Sequence, residues 1–216
     1  MKPYYQDALA TIYHGDSREI LPQLEGYNVI VTDPPWVIQS VVDIKGTEDP
    51  VRLLTEVLAG VGTVDRLICI LGGQSDPRLL CAIPNRFRFL NTALVATYPP
   101  SYRGVICGLG DLVYVFGRGY LVDNGKKLLP SKGEAGSTKR DRERTSHPCP
   151  RFAGEMEWVI GNYCRTTDTV LDPLMGSGTT LLAAKYGGRK CIGIEIEERW
   201  CEEAAKAMCQ TTIEEL

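Results

Sequence analysis

Thr169-Val170-Leu171-Asp172-Pro173-Leu174-Met175-Gly176-Ser177-Gly178-Thr179-Thr180 is a short apolar run that turns through two glycines. The run reads as a buried strand. Leu181 to Tyr186 after it reads as a helix, with Gly187-Gly188 as its C-terminal stop. A further apolar strand, Cys191-Ile192-Gly193-Ile194, ends in Glu195, 23 positions after Asp172. A glycine-rich strand-to-helix turn with an acid about 20 positions on suits a nucleoside cofactor. The glycines let a ligand approach the backbone, and the carboxylate accepts hydrogen bonds from ribose hydroxyls. A phosphate-binding loop is the competitor, but no Lys follows Gly178, so phosphate capture has little support. A glycine turn without a ligand is the plain structural alternative.

The rest of the chain alternates strand and helix in the manner of an α/β domain. Strand candidates are Ala10 to His14, Val29 to Thr32, Leu67 to Leu71, Leu90 to Tyr98 and Leu112 to Phe116. Helix candidates are Ser17 to Leu24, Asp49 to Gly60, Asp76 to Ile83, Glu155 to Cys164 and Glu198 to Cys209. The second of these helices sets Val51, Leu54, Val57 and Leu58 on one face. The strands from Leu90 and Leu112 suit an antiparallel edge pair. Tyr98-Pro99-Pro100-Ser101-Tyr102 between them reads as an edge-strand turn or an aromatic wall.

Asp33-Pro34-Pro35-Trp36 follows the strand Val29 to Thr32. Two prolines without backbone N–H groups hold a rigid turn and leave carbonyls with no helix to join. Asp33 and the Pro34 carbonyl then form a fixed pair of acceptors beside an aromatic ring. That arrangement suits gripping a flat exocyclic amino group by its two N–H bonds while the ring stacks. A strand-ending turn with a core Trp is the competing reading.

Together these residues resemble the DNA amino-methyltransferases, which methylate the exocyclic nitrogen of adenine or cytosine with S-adenosylmethionine. Their catalytic motif is matched by Asp33-Pro34-Pro35-Trp36. Their cofactor motif is matched by Asp172, Pro173, Met175, Gly176, Ser177, Gly178 and Thr179, and their ribose-binding acid by Glu195, with Ile196 next to it. His14-Gly15-Asp16-Ser17 is similar to the family's Gly-Asp step, which implies Asp16 near the cofactor adenine. His147-Pro148 resembles the His-Pro motif before the cofactor strand. Many members continue with Gln-Lys-Pro, where this chain has Pro150-Arg151-Phe152. Catalytic motif first and cofactor motif last is the order of the β-class enzymes. The resemblance therefore implies a circularly permuted, Rossmann-like methyltransferase fold, mostly parallel, with an antiparallel edge hairpin.

The resemblance also implies direct methyl transfer to a flipped base. Asp in the first motif position favours adenine N6, cytosine N4 being the alternative. An RNA or protein methyltransferase and a non-catalytic nucleic-acid-binding subunit are the readings from other classes. No separate target-recognition domain is visible, so 1–216 reads as one domain.

Gly117 to Ser146 lacks periodicity and reads as a long surface loop. Its part from 126 to 144 holds Lys126, Lys127, Lys132, Lys139, Arg140, Arg142 and Arg144 against Glu134, Asp141 and Glu143, a net of +4. The whole chain has a formal charge of −3, so the basic stretch stands out against an acidic remainder. Contact with DNA phosphates is the functional reading, and a solvated connection the plain one. With 44% hydrophobic and 24% charged residues, the composition excludes a disordered or fibrous chain. No apolar run approaches the ~18 residues of a membrane span, and a cytoplasmic protein is expected. Eight cysteines without a Cys-x-x-Cys pair and two histidines favour reduced thiols over a metal site. The oligomeric state is left open, a homodimer included.

Overall fold

The computed structural model describes residues 1–35, 48–72, 75–103, 106–118, 130–136, 146–147 and 151–210. Trp36, Pro148 and every basic residue named between 126 and 144 except Lys132 lie outside the described residues.

Among the described residues, nine strands form one sheet. In chain order they are β1 (Tyr5–Gln6), β2 (Ala10–His14), β3 (Val29–Thr32), β4 (Arg66–Gly72) and β5 (Phe89–Arg103), then β6 (Ile106–Gly117), β7 (Lys132–Gly136), β8 (Thr169–Asp172) and β9 (Lys190–Glu195). Their order across the sheet is β1-β2-β9-β8-β3-β4-β6-β5-β7. The run β2-β9-β8-β3-β4 is parallel, and β6 lies antiparallel to both β4 and β5. The expected mostly parallel sheet with an antiparallel pair is the one observed.

β3 and β4 are buried on every residue, as strands covered on both faces must be. One face is covered by α3 (Ala153–Tyr163), α4 (Thr179–Tyr186) and α5 (Glu198–Gln210), which bury Met156, Val159, Leu181, Cys201 and Met208 against it. The other face is covered by α1 (Ser17–Ile20), α2 (Pro50–Ala59) and a 3₁₀ turn at Pro77–Ala82. Asp49 caps α2 by accepting from the Arg52 N–H at 2.9 Å, with Pro50 at the first helical position, so the helix starts where the sequence places it. Among the described residues no helix is long and apolar enough to cross a membrane.

Three sequence expectations need correction. The segment 117–146 is not all loop: Lys132–Gly136 is a strand parallel to β5. With β7 outside it, the β5–β6 hairpin is internal, and β7 is the edge among the described residues. Tyr98 to Tyr102 does not end a strand either. It lies within β5, at the register shift between Ala96 and Ser101, which is where prolines lacking N–H groups are tolerated in a ladder.

Candidate active site

The chain leaves β8 through α4 to reach β9 on one side, and leaves β3 to reach β4 on the other. β8 and β3 are neighbours, so their carboxyl ends flank the point where the strand order reverses, the place where open α/β sheets bind ligands. Asp172 ends β8 and Asp33 follows β3. A cleft of about 330 Å³ opens there.

Its floor is the glycine turn. Gly178 has φ +78°, and a Cβ on it would lie 2.8 Å from the Ala204 Cβ of α5, so this position excludes larger side chains on two counts. Gly176 has φ +50° and faces the His147 ring, whose edge packs on Trp200 with centroids 4.6 Å apart. Glu195 ties the turn to β9: its carboxylate accepts from the Gly176 N–H at 3.0 Å and the Glu197 N–H at 2.8 Å. Burial raises the pKa of Glu195 against those two donors. Asp172 is almost fully buried and accepts from the Leu174 N–H at 3.1 Å. Burial lifts its pKa to about 7, opposed by the Thr180 hydroxyl and the Leu174 N–H. Ser17 at the start of α1 donates its hydroxyl to the Pro173 carbonyl, fastening α1 to the turn.

The sequence candidates Asp16, Asp33, Pro34, Pro35, His147, Asp172, Met175, Gly176, Ser177, Thr179, Glu195 and Ile196 all line this cleft. Pro173 and Gly178 hold its wall from behind. Asp16 caps α1 and is gripped by Arg18, whose hydrogen bonds lower its pKa. Lys132 lies apart, in β7, with Glu134 at 3.1 Å.

Sequence reasoning missed two parts of the site. One is the wall supplied by α2, where Arg52 and Glu56 face the cleft and Glu56 takes the Arg18 guanidinium at 2.8 Å. The other is Arg151, which donates Nε to Asp33 Oδ2 at 2.6 Å and Nη2 to Asp33 Oδ1 at 2.5 Å. Its departure from the family's Gln-Lys-Pro was the only signal.

The described residues lining the cleft include eight carboxylates (Asp16, Asp33, Glu48, Asp49, Glu56, Asp172, Glu195, Glu197) and three guanidiniums (Arg18, Arg52, Arg151). Such a lining favours a cationic ligand and disfavours a phosphate. Among the described residues no group of three or more His, Cys, Asp or Glu side chains could hold a metal ion.

Residues 119–206 match the model of the DNA methylase family. Over 73 residues the chain is 38% identical to the Type II methyltransferase M.ScaI of Streptomyces caespitosus, a stretch covering 34% of this chain and 24% of that protein. The chain thus matches about a quarter of that relative's length. The PvuII DNA methyltransferase, described as cytosine-N4-specific, shares the fold with a TM-score of 0.75 over 99% of this chain and 91% of that one, at 17% identity. The M1.HpyAVI–SAM complex superposes with a TM-score of 0.67 over 93% of this chain and all of that one, at 22% identity. The resemblance to the amino-methyltransferases is borne out by these matches.

Proposed function

We propose that this chain, which carries the DNA methylase family domain at residues 119–206, moves a methyl group from S-adenosylmethionine to an exocyclic amino group of a DNA base, adenine N6 in preference to cytosine N4. The observation that carries the reading is the meeting of two turns at one switch point. The Asp33-Pro34-Pro35 turn faces the glycine turn across an acid-rich cleft.

The residues present fit the cofactor. Glu195 accepts from the Gly176 and Glu197 N–H groups, one on each carboxylate oxygen, with the Ile196 N–H beside them, and keeps acceptor capacity for a ribose hydroxyl. The surplus of carboxylates suits a sulfonium and an ammonium group, and Ile196, 40% exposed beside Glu195, offers an apolar surface to a nucleobase. The cofactor supplies the methyl group; the chain's own residues orient the acceptor. Asp33 and the Pro34 carbonyl accept the amino hydrogens, turn the nitrogen lone pair out of conjugation and aim it. No nucleophilic side chain is needed, and the gain in rate comes from orientation and fixed electrostatics. Taking the base out of the duplex costs a few kcal/mol, and stacking on Trp36 returns about 1–3 kcal/mol of it. Asp in the first motif position is the ground for preferring adenine.

The test is incubation with unmethylated DNA and S-adenosylmethionine, followed by digestion to nucleosides and mass spectrometry. N6-methyladenine is expected. N4-methylcytosine would overturn the base preference alone, and a methylated RNA or protein with unmodified DNA would overturn the substrate class.

Two further results are expected. Glu195→Ala weakens S-adenosylmethionine binding by about 1.5–3 kcal/mol, the scale of a hydrogen bond to a charged group. Calorimetry checks this, with the unfolding midpoint followed in parallel because Glu195 also holds the Gly176 N–H. Unchanged affinity in a folded variant would remove Glu195 from the ribose site. Reversing Arg140, Arg142 and Arg144 to Glu weakens DNA binding and leaves cofactor affinity unchanged. Each lost phosphate contact flattens the slope of log affinity against log salt by about 0.9. Equal slopes in variant and parent would make the stretch from Lys126 to Arg144 a solvated connection.

A further inference from the structure

We propose that Arg151 is the positioning residue of Asp33: its guanidinium holds the carboxylate in one rotation at the mouth of the cleft, and Asp111 and Glu155 hold the guanidinium. The role rests on the methyl-transfer reading above.

Four ionisable groups from three parts of the fold meet here. Asp33 follows β3, Asp111 lies in β6 opposite Gly72 of β4, and Glu155 stands in the first turn of α3, four residues after Arg151. Arg151 reaches both Asp33 oxygens, at 2.6 and 2.5 Å, and gives its remaining Nη1 to Asp111 Oδ2. Glu155 Oε1 lies 3.9 Å from the same Nη1. The side chains of Arg151 and Glu155 are 12% and 1% exposed, so the cluster is screened from water on the side away from the cleft.

A simple structural ion pair needs one carboxylate, and this cluster has three around one guanidinium. Burying the surplus is costly unless a proton neutralises part of it. Burial lifts the Glu155 pKa to about 8, against Arg151 and with Asp111 and Asp33, and the hydrogen bond between Glu155 and Asp111 gives that proton its place. Burial alone would depress Arg151, but Asp33, Asp111 and Glu155 outweigh it and hold its pKa well above the usual value, so the guanidinium stays charged.

The geometry has a chemical consequence. A bidentate fork fixes the plane of a carboxylate as a single ammonium cannot. Each oxygen keeps a second acceptor site, and the fork sets where those sites point. An amino group entering the cleft then meets an acceptor already turned to face it, and no reorganisation is left for the transfer step.

The experiment compares the parent with Arg151→Met, Arg151→Lys and Asp111→Asn on unmethylated plasmid DNA with radiolabelled S-adenosylmethionine, together with calorimetric affinity for the cofactor. Arg151→Met is expected to lower kcat about a hundredfold, the scale of a mispositioned reacting group, with cofactor affinity within about threefold of the parent. Arg151→Lys, holding one oxygen and not two, is expected to fall between Met and the parent. Should Arg151→Met fail to fold, the Lys and Asn variants carry the test, each with kcat reduced at unaltered cofactor affinity. Parental kcat in the folded variants overturns the positioning role and leaves the methyl-transfer reading intact. A parent that binds S-adenosylmethionine but leaves DNA unmethylated overturns that reading, and this role with it.

Discussion

Asp33→Ala will reduce methyl transfer by at least about 10²–10³-fold, the scale for deleting one fixed polar partner of a transition state, while S-adenosylmethionine remains bound. The separation follows from where the residue stands. Asp33 lies across the cleft from the glycine turn, and its hydrogen bonds run to Arg151 and not to the groups around Gly176 and Glu195. Its loss removes an interaction with the acceptor amine and lowers kcat without an equal change in cofactor affinity. The fold should survive, because Arg151 keeps Asp111 and gains a nearby Glu155 able to ionise in place of Asp33. Asp33→Asn is the finer probe. Its amide retains one acceptor but opposes one arm of Arg151 with an N–H, so it should turn over slowly and not at the parental rate. Methyl incorporation and calorimetry on the same preparations check both variants. Parental kcat in Asp33→Ala would remove the Asp33-Pro34-Pro35 turn from the chemistry.

The βαβ unit from Thr169 to Glu195 was legible because its determinants are local. Its strand, turn, helix and acid fall within one short stretch, and the glycines are required by backbone geometry that sequence can announce. The clamp on Asp33 was not legible, because Arg151 is 118 positions away and Asp111 and Glu155 carry no local pattern. β7 escaped notice for a different reason. Lys-Gly-Glu-Ala-Gly has no alternation and no β-branched residue, and only pairing with β5 makes it a strand. Pro99 and Pro100 misled in the opposite direction: they look like a stop, yet β5 runs through them because its register shifts at that point.

Asp168→Ala should destabilise the protein by about 3–5 kcal/mol, the cost of leaving a buried charge without its partner. Asp168 is 2% exposed and gathers three donors at the end of the sheet opposite the cleft. Arg66 at the start of β4 reaches Oδ2, the Arg165 N–H reaches the same oxygen at 2.7 Å, and Asn28 Nδ2 reaches Oδ1 at 2.8 Å. Asn28 in turn accepts from the Thr169 N–H at 2.9 Å, so one carboxylate joins the entries of β3, β4 and β8. Alanine leaves the Arg66 guanidinium buried and unpaired and frees the start of both strands that carry Asp33 and Asp172. Against a typical stability of about 5–15 kcal/mol the loss is large. It should appear as a lower urea midpoint with an unchanged slope. Asp168→Asn should lose less: its oxygen can still take Arg66 and the Arg165 N–H, while its amide faces the Asn28 amide donor. Because β3 and β8 deliver the two halves of the cleft, cofactor affinity and kcat should fall together in Asp168→Ala, unlike the kcat-specific loss in Asp33→Ala. An unfolding free energy within about 1 kcal/mol of the parent would mean that strand packing alone holds β3 beside β8.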